Sequence, residues 1–397
     1  MTSSKPQFVG KKVRLGDIVK IEKASMPSGN NVWVLNLDTV EKGTGKVIVK
    51  NRMKADSAGT STVAFTADAV LYSKLRPNLN KVVVADEPGL ATSEMLPLIV
   101  NPEVLDRRYF AYLLRSNSFV NLAVSSTAGS KMPRMNKKTL LNAVFPIPSL
   151  ELQHQRIDLL SSIEKARTKA ELLIQQLDTL VKSRFIEMFG DPIRNPLRMS
   201  VSSVEELAAP IKNSMKAGPF GSALKKEVYA ESGYKVYGQE QVISGDQFLG
   251  NYYIDKEKYE QLNSCKVMPG DVLISLVGTV GKVLILSEDC QPGIINPRLV
   301  KITFDKRKIF PEYFAIAFSL ESVRSSLLGK AHGQTMNVLN LGMIKKLKLP
   351  VPPISRQKEY LNFVAQVDKS RFGGMLHLLN SLSGIMHASF FSVADTD

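Results

Sequence analysis

The sequence predicts an α+β protein with two mixed α/β domains in tandem, each followed by a long helix of the coiled-coil kind. Two observations predict this arrangement. Short stretches recur in the same order at a separation of 204 residues, which indicates an internal duplication. Each copy also ends at a proline-rich junction, FPIPSLELQHQ at 145–155 and LPVPPISRQKE at 349–359, and a polar, helix-favouring run follows each junction.

The duplication extends beyond the junctions. YFAYLL at 109–114 corresponds to YFAIAF at 313–318, and GSKMPRMN at 129–136 corresponds to GQTMNVLN at 333–340. VLYSKLRPNLNKVVVADE at 70–87 corresponds to VLISLVGTVGKVLILSE at 272–288 with one residue fewer. Ordered matches at a nearly constant offset predict four segments, which are domains at 1–148 and 191–349 and helices at 149–190 and 350–397.

Each globular segment shows alternating signals for strands and helices. The β-branched runs KVVVA, DVLISLV and KVLILS are typical of strands, and RRYFAYLLRS at 107–116 is typical of a helix. Trp33 is expected in the core, and Phe220 is expected to be buried or to anchor a loop.

The central segment after Pro148 has no proline or glycine until Gly190. Ser149 is a suitable N-cap, and Gly190 followed by Asp191-Pro192 is a stop signal. A helix of about 40 residues would be about 60 Å long. Its apolar residues follow a heptad spacing that predicts a seam for pairing with another helix: Leu159, Ile163, Ala166, Ala170, Leu173, Leu177 and Leu180.

The C-terminal segment shows a shorter seam, at Met375, Leu379, Leu382 and Met386. Gly373-Gly374 interrupts it, and each glycine costs a helix about 1 kcal/mol relative to alanine. A kink is expected there.

The positive charge is confined to the globular segments. The chain has a formal net charge of +15, of which residues 1–145 carry +10 and residues 191–349 carry +5, while both helical segments are neutral. A polyanion-binding protein concentrates cations on its binding faces. The distribution therefore predicts double-stranded DNA at the globular segments and protein contacts along the helices.

No catalytic or metal motif is found. GTVGKV at 278–283 lacks the first glycine and the Ser/Thr of a phosphate-binding loop, and the four histidines and two cysteines have no ligand spacing. No cofactor or metal site is expected within the chain. Without a long apolar stretch or a secretory signal, no membrane partner is expected, and we expect a cytoplasmic location with reduced thiols.

The two junctions, together with VRLGDIVKI at 13–21 and GPFGSALKKEVYAESGYKVYGQEQV at 218–242, resemble the specificity subunits of type I restriction-modification systems over almost the whole chain. The resemblance implies a non-catalytic subunit. It also implies that two long antiparallel, coiled-coil-like helices separate two target-recognition domains. Each domain would read one half of a split DNA sequence, and the helices would set the spacer. The implied partners are two methyltransferase subunits, which hold S-adenosylmethionine, and restriction subunits with translocase and nuclease activity.

Residues for DNA contact are expected on loops that carry cations and amides. In the first domain we predict Lys74, Arg76, Asn78, Asn80, Lys81, Lys131 and Arg134. In the second domain we predict Lys216, Ser222, Lys225, Lys226, Tyr237, Gln239, Gln241, Gln334, Thr335 and Asn337.

Two other functions stay open. A coiled-coil scaffold without a DNA role would explain the helices but not the distribution of charge. A fragment of a fused methyltransferase-endonuclease would require the Asn/Asp-Pro-Pro-aromatic tetrapeptide, which the sequence lacks.

Overall fold

The computed structural model describes residues 10–127, 132–329 and 339–370. The chain divides into two compact units, and the boundary lies within its central helix. The first unit contains the described residues up to Glu171, and the second contains those from Leu172 onwards. The predicted four-segment division, with limits at 148, 190 and 349, stays a prediction.

The first unit alternates short strands and helices, as the sequence predicts. Its strands are β1 (Lys11–Arg14), β2 (Val19–Ile21), β3 (Val32–Leu35), β4 (Asn51–Met53), β5 (Thr62–Phe65), β6 (Val70–Ser73), β7 (Val82–Val84), β8 (Gly89–Thr92), β9 (Met95–Val100) and β10 (Val144–Ile147). Its helices are α1 (Leu15–Ile18), α2 (Arg107–Arg115), α3 (Asn117–Ser125), α4 (Lys137–Asn142) and the central helix α5 (Leu150–Phe189), whose last turns belong to the second unit.

Two four-stranded sheets and a two-stranded ribbon form the β-structure of the first unit. The sheets have the orders β2-β9-β6-β7 and β4-β3-β8-β5, and β1 pairs with β10. β3 and β8 are parallel, whereas the other pairs in these sheets are antiparallel. Trp33 is 1% exposed and its ring meets Phe65 edge-on at 5.2 Å, which confirms its prediction as a core residue.

The second unit has a similar set of elements, without a counterpart of β5 and with two additional short helices. Its strands are β11 (Val201–Ser203), β12 (Met215–Ala217), β13 (Tyr234–Tyr237), β14 (Tyr253–Ile254), β15 (Val272–Ser275), β16 (Val283–Ile285), β17 (Gly293–Ile295), β18 (Leu299–Ile302) and β19 (Lys348–Pro350). Its helices are α6 (Val204–Leu207), α7 (Gln239–Ser244), α8 (Lys256–Gln261), α9 (Pro311–Ser319), α10 (Glu321–Leu328), α11 (Leu341–Lys346) and α12 (Ile354–Ser370).

The sheets of the second unit repeat those of the first. The orders are β12-β18-β15-β16 and β14-β13-β17, again with one parallel pair, β13 with β17, and β11 pairs with β19. Helices α9, α10, α11 and α12 each begin 204 residues after α2, α3, α4 and α5. The structure therefore confirms the predicted tandem fold and shows that the C-terminal half of each repeat has a fixed length.

A buried glutamine joins the central helix to the first unit. Gln153 is fully buried in the first turn of α5, and its side-chain amide nitrogen donates hydrogen bonds to the carbonyl oxygens of Val104, at 2.8 Å, and Pro148, at 2.9 Å. Its side-chain oxygen accepts from the Asp106 backbone N–H at 2.8 Å. One side chain thus satisfies three backbone groups that would otherwise be costly to bury.

The same arrangement occurs at the second junction. Gln357 is fully buried and donates to the carbonyl oxygens of Lys308, at 3.0 Å, and Pro352, at 2.8 Å, while accepting from the Phe310 backbone N–H at 3.0 Å. Every member lies 204 residues after its counterpart. We call these two arrangements the glutamine clasps, and they give the repeated junction a physical role: each holds a globular unit against the start of its helix.

The central helix begins and ends where the sequence predicts. The Ser149 side chain accepts from the Leu152 backbone N–H at 3.4 Å, as an N-cap does. Gly190 has φ of +71° and closes the helix after Phe189.

The ends of this helix are also parts of globular cores, which the sequence does not predict. Ile157 and Leu160 are buried in the core of the first unit. In the second unit, Phe185 and Phe189 pack with Tyr313 of α9 and Tyr360 of α12 at ring-centroid distances of 5.1–5.5 Å. The two end segments therefore contribute to folding of the units in addition to any role between them.

The predicted pairing seam stays a prediction. Its central-helix members differ in exposure: Ile163 and Ala170 are buried, Ala166 and Leu177 are half-buried, and Leu159, Leu173 and Leu180 are exposed. Met375, Leu379, Leu382 and Met386 lie outside the described residues, as does the expected kink at Gly373-Gly374.

Candidate DNA-recognition loops

Several strand ends of the second unit meet at one edge of its two sheets. Ala217 at the end of β12 lies opposite Val300, and Ser275 at the end of β15 lies opposite Leu299. β13 and β17 run parallel, so that their C-terminal ends are neighbours. The loops that leave these strands, and the loop that enters β18, consequently form one surface. We call this surface the second loop cluster, and it comprises residues 218–226, 238–241, 276–282 and 296–298.

Backbone contacts hold the loops of this cluster together. The Gly218 N–H donates to the Leu299 carbonyl at 2.9 Å, and the Leu276 N–H donates to the Arg298 carbonyl at 2.9 Å. A Cβ at position 218 would collide with the Asn296 carbonyl oxygen, so glycine is required for this close approach. The cluster is therefore built on a fixed backbone.

Arg298 and Gln239 are the polar side chains at the centre of this cluster. Arg298 is exposed, and its guanidinium lies 3.5 Å from the side-chain oxygen of Gln239, whose amide nitrogen donates to the Val277 carbonyl. Arginine suits the O6 and N7 acceptors of guanine, and glutamine suits the N6 and N7 groups of adenine. Gln239 was predicted, whereas Arg298 was missed, although the Asn-Pro pair directly before it is a turn signal that could have indicated an exposed loop.

The predicted lysines of the second unit lie in β12 and in the loop that follows it. Lys216 is half-buried in β12, and Lys225 and Lys226 are exposed. Ser222 lies in a 3-10 turn, but its side chain is outside the described set. Phe220 is 90% exposed, so the expectation that it is buried or anchors a loop is wrong.

Two predicted contact residues are wrong because their side chains are buried. Tyr237 is fully buried, its hydroxyl donates to the Gln291 carbonyl at 2.7 Å, and burial raises its pKa far above the usual value. Gln241 is 1% exposed and accepts from the Gly238 N–H at 2.8 Å. Both residues support the loop that carries Gln239 and cannot reach a ligand themselves.

The first unit presents the corresponding loop after β6. Arg76 and Asn78 are exposed in it. Arg76 has φ of +49°, a left-handed backbone that a non-glycine residue rarely adopts, and its N–H donates to the Pro133 carbonyl at 2.8 Å. The loop is thus constrained, and it directs Arg76 away from the strands.

Asn80 and Lys81 of this loop make internal contacts. The Asn80 amide donates to the Arg115 carbonyl at 2.9 Å, and the Lys81 ammonium donates to the Leu37 carbonyl at 2.6 Å. Both side chains are half-buried and position the loop. Their predicted DNA contacts stay predictions.

Lys74 and Arg134 meet at one acidic side chain. The Arg134 guanidinium lies 2.9 Å from the Glu94 carboxylate, and the Lys74 ammonium lies 4.0 Å from it. Hydrogen bonding to this carboxylate raises the pKa of Arg134. With two cations to one anion, the group keeps a net positive charge beside Arg76. Lys131, Gln334, Thr335 and Asn337 lie outside the described residues.

A groove of about 1020 Å³ opens in the first unit between residues 41–47, β7, α2 and α5. Basic and acidic side chains both line it, and the basic ones are in excess: Lys42, Lys46, Lys50, Arg108, Arg115 and Arg167 against Glu41, Asp86, Glu164 and Glu171. The lining therefore combines both signs of charge and keeps a small positive excess.

Neither a metal centre nor a membrane span is present in the described ranges. These residues contain no group of three or more His, Cys, Asp or Glu that could hold a metal ion. Nor is any helix within them long and apolar enough to cross a membrane.

Comparisons with known proteins agree with this architecture. The chain is 22% identical over 382 residues to the type I restriction enzyme MjaVIII specificity subunit of Methanocaldococcus jannaschii, spanning 90% of this chain and 85% of that protein. It is 26% identical over 223 residues to the type I restriction enzyme EcoDI specificity subunit of Escherichia coli, over 54% of this chain and 49% of that protein.

A solved structure shows the same fold. It comes from work on complex assembly and conformational transition of the type I restriction-modification system, and it superposes with a TM-score of 0.56 over 97% of both chains at 15% identity. The profile of the type I restriction modification DNA specificity domain matches residues 10–177 and 219–378, once for each repeat. The chain therefore belongs to the family of type I restriction-modification specificity subunits.

Proposed function

We propose that this chain is the non-catalytic, sequence-specific DNA-binding subunit of a type I restriction-modification complex, acting on DNA in the cytoplasm. Each unit would read one half of an asymmetric bipartite target. The observation that carries the proposal is the second loop cluster, where an exposed arginine lies beside a glutamine on loops fixed by backbone hydrogen bonds. These are the side chains best suited to purine edges in the major groove.

Differences between the units support an asymmetric target. The first unit offers Arg76 and Asn78 on the loop after β6, whereas the second unit offers Arg298 and Gln239 from other strand ends. Unlike side chains at unlike positions would select unlike bases. The two half-sites should therefore differ in sequence.

The helices would serve the partners and the spacer. Helix α5, which connects the two units along the chain, and the segment that begins with α12 are neutral in charge, so we propose that they dock two methyltransferase subunits and set the spacer. Those subunits would hold S-adenosylmethionine, and restriction subunits with translocase and nuclease activity would join them. Trimming or adding one heptad in α5 should change the spacer, and an unchanged spacer would remove the helix from this role.

Methylation mapping tests the proposal. The full chain is co-purified with its methyltransferase subunit, and methylated positions are mapped on plasmid DNA. One split sequence should be modified. If no split sequence is modified, the chain is a scaffold without a DNA role; if the chain methylates DNA without the partner, it is an enzyme. Either result contradicts the proposal.

Single arginine variants show which half-site each unit reads. Arg298→Ala should relax discrimination at one position of one half-site by about 5- to 150-fold, the range for a bidentate base contact. Arg76→Ala should do the same in the other half only. Arg307→Ala is the matched control, because Arg307 is 81% exposed but follows the opposite end of β18 and is paired with Asp305 at 2.9 Å. A loss in both halves from either variant would contradict modular reading.

A further inference from the structure

Phe220 is exposed to an unusual degree. Its 90% exposure compares with 61% for Met26 and Ile48, the next most exposed large apolar side chains in the described part of the chain. Burying a phenylalanine is among the larger favourable contributions that a side chain can make. A phenylalanine that is 90% exposed on a constrained loop therefore suggests a ligand that covers it.

The loop around Phe220 is held at both ends. Gly218, two residues earlier, is fixed against the chain at Asn296 and Leu299. On the other side, the Ala223 N–H donates to the Phe220 carbonyl at 2.8 Å and closes a 3-10 turn. Phe220 is thus presented by an ordered turn, within about 7 Å of the fixed point at Gly218.

The neighbouring groups indicate which ligand chemistry suits this position. Through Asn296 and Leu299 the turn adjoins Arg298, which in turn contacts Gln239. An arginine and a glutamine suit the purine edges of the major groove, but neither reads the apolar feature of that groove, which is the 5-methyl group of thymine. A phenylalanine is one of the side chains that makes this contact.

We propose that Phe220 is a specificity-determining residue that packs against the 5-methyl group of one thymine in the half-site read by the second unit. The inference rests on the proposed function and adds to it a named base feature. It also requires that the second loop cluster enters the major groove, since thymine methyl groups are absent from the minor groove.

Uracil substitution tests this contact directly. Each thymine of the mapped target is replaced in turn by deoxyuridine, which differs only by the methyl group, and binding by the complete complex with its methyltransferase is measured. Wild type should lose affinity by about fourfold at one position of the second half-site, the value for one buried methyl group. Phe220→Ala should bind the thymine-containing target at least about fourfold more weakly than wild type. Its affinity should not fall further when that thymine is replaced by uracil, and the four affinities form a double-mutant cycle.

Two matched variants complete the design. Phe220→Leu keeps an apolar side chain and should retain part of the sensitivity to the methyl group. Met268→Ala removes another exposed apolar side chain, but Met268 lies before the start of β15 while the cluster lies beyond its end, so this variant should behave as wild type.

The outcomes separate this inference from the proposed function. If wild type binds its split target but Phe220→Ala keeps the same uracil sensitivity at every position, the inference fails and the proposed function stands. If Phe220→Ala prevents association with the methyltransferase while leaving DNA binding intact, Phe220 belongs to a protein interface and the inference is again wrong. If wild type binds no split sequence, both fail.

Discussion

Gln153 and Gln357 make the same three hydrogen bonds in the two repeats, at positions separated by 204 residues. The recognition loops behave differently. Arg76 extends from the loop after β6 in the first unit, while in the second unit the equivalent turn contains Gly278 and Gly281 and the arginine is Arg298, from the loop before β18. The two repeats therefore differ in the exposed side chains of their loops. They share the hydrogen bonds of the buried glutamine, because these satisfy backbone groups in both units.

The interiors of the two units differ as well. In the second unit Asp271 and Lys301 form a buried ion pair at 3.2 Å, and the Thr303 hydroxyl also donates to Asp271. The register of the strands places Ala69 and Pro97 at the corresponding positions of the first unit. The same sheet is thus compatible with either an ion pair or apolar residues at this place.

Removing one partner of the ion pair should produce the largest change. Lys301→Met leaves the fully buried Asp271 carboxylate without its cation, and we expect the free energy of unfolding of the second unit to fall by about 3–5 kcal/mol. Urea denaturation measures the change in the free energy of unfolding, and hydrogen exchange of amides in the second unit assigns the change to that unit.

The double variant tests whether the second unit tolerates uncharged residues at these two positions, as the first unit does. Asp271→Ala with Lys301→Met removes both charges, and stability should return to within about 1–2 kcal/mol of wild type. A double variant as unstable as Lys301→Met alone would mean that the hydrogen bonds of Asp271 with Thr303 and with the Met268 backbone N–H matter more than the charge pair.

The glutamine clasps should have the next largest effect, and an equal one in both units. Gln153→Ala and Gln357→Ala each leave three buried backbone groups without their partner, and we expect a loss of about 2–4 kcal/mol in the unit concerned. Exchange of the Asp106 and Phe310 amide hydrogens, which donate to these glutamines, reports the loss locally.

A neighbouring glutamine provides the control. Gln155 lies two residues further along α5 and is exposed, so Gln155→Ala should change stability by less than about 0.5 kcal/mol. Losses that differ by more than about 1 kcal/mol between the two clasps would show that their identical geometry does not give identical energetics.

The smallest expected effect comes from loss of the N-cap, which is present at the first junction and absent from the second. Ser149 caps α5, whereas the corresponding residue, Pro353, has no side-chain acceptor. Ser149→Ala should lower stability by about 1 kcal/mol. In contrast, Ser162→Ala within the same helix should be neutral or slightly stabilising, because alanine is the better helix former. Thermal unfolding of both variants decides the sign, and equal effects would exclude a capping role.

The parts of the fold that depend on local sequence could be predicted. The duplication, the start of α5 after Ser149, its end at Gly190 and helix α2 all follow from spacing, capping and stop signals, and the structure confirms them. These features are determined by interactions within a few residues, or by repetition of the sequence itself.

The site was predicted only in part, because exposure depends on partners distant in sequence. Tyr237 and Gln241 have the chemistry of DNA contacts but are buried by residues 54 and 8 positions away, at Gln291 and Leu249. Phe220 has the chemistry of a core residue but is exposed, and Arg298 reaches Gln239 across 59 residues of sequence.

The sequence by itself determined that this protein is a tandem repeat, that its positive charge belongs to the globular parts and that a helix begins at each junction. Only the tertiary structure decided which side chains face outward at the strand ends and that a single buried glutamine fastens each helix to its domain. The physical reason is that periodicity and capping act along the chain, whereas burial and hydrogen-bond satisfaction are settled between segments that the chain brings together from far apart.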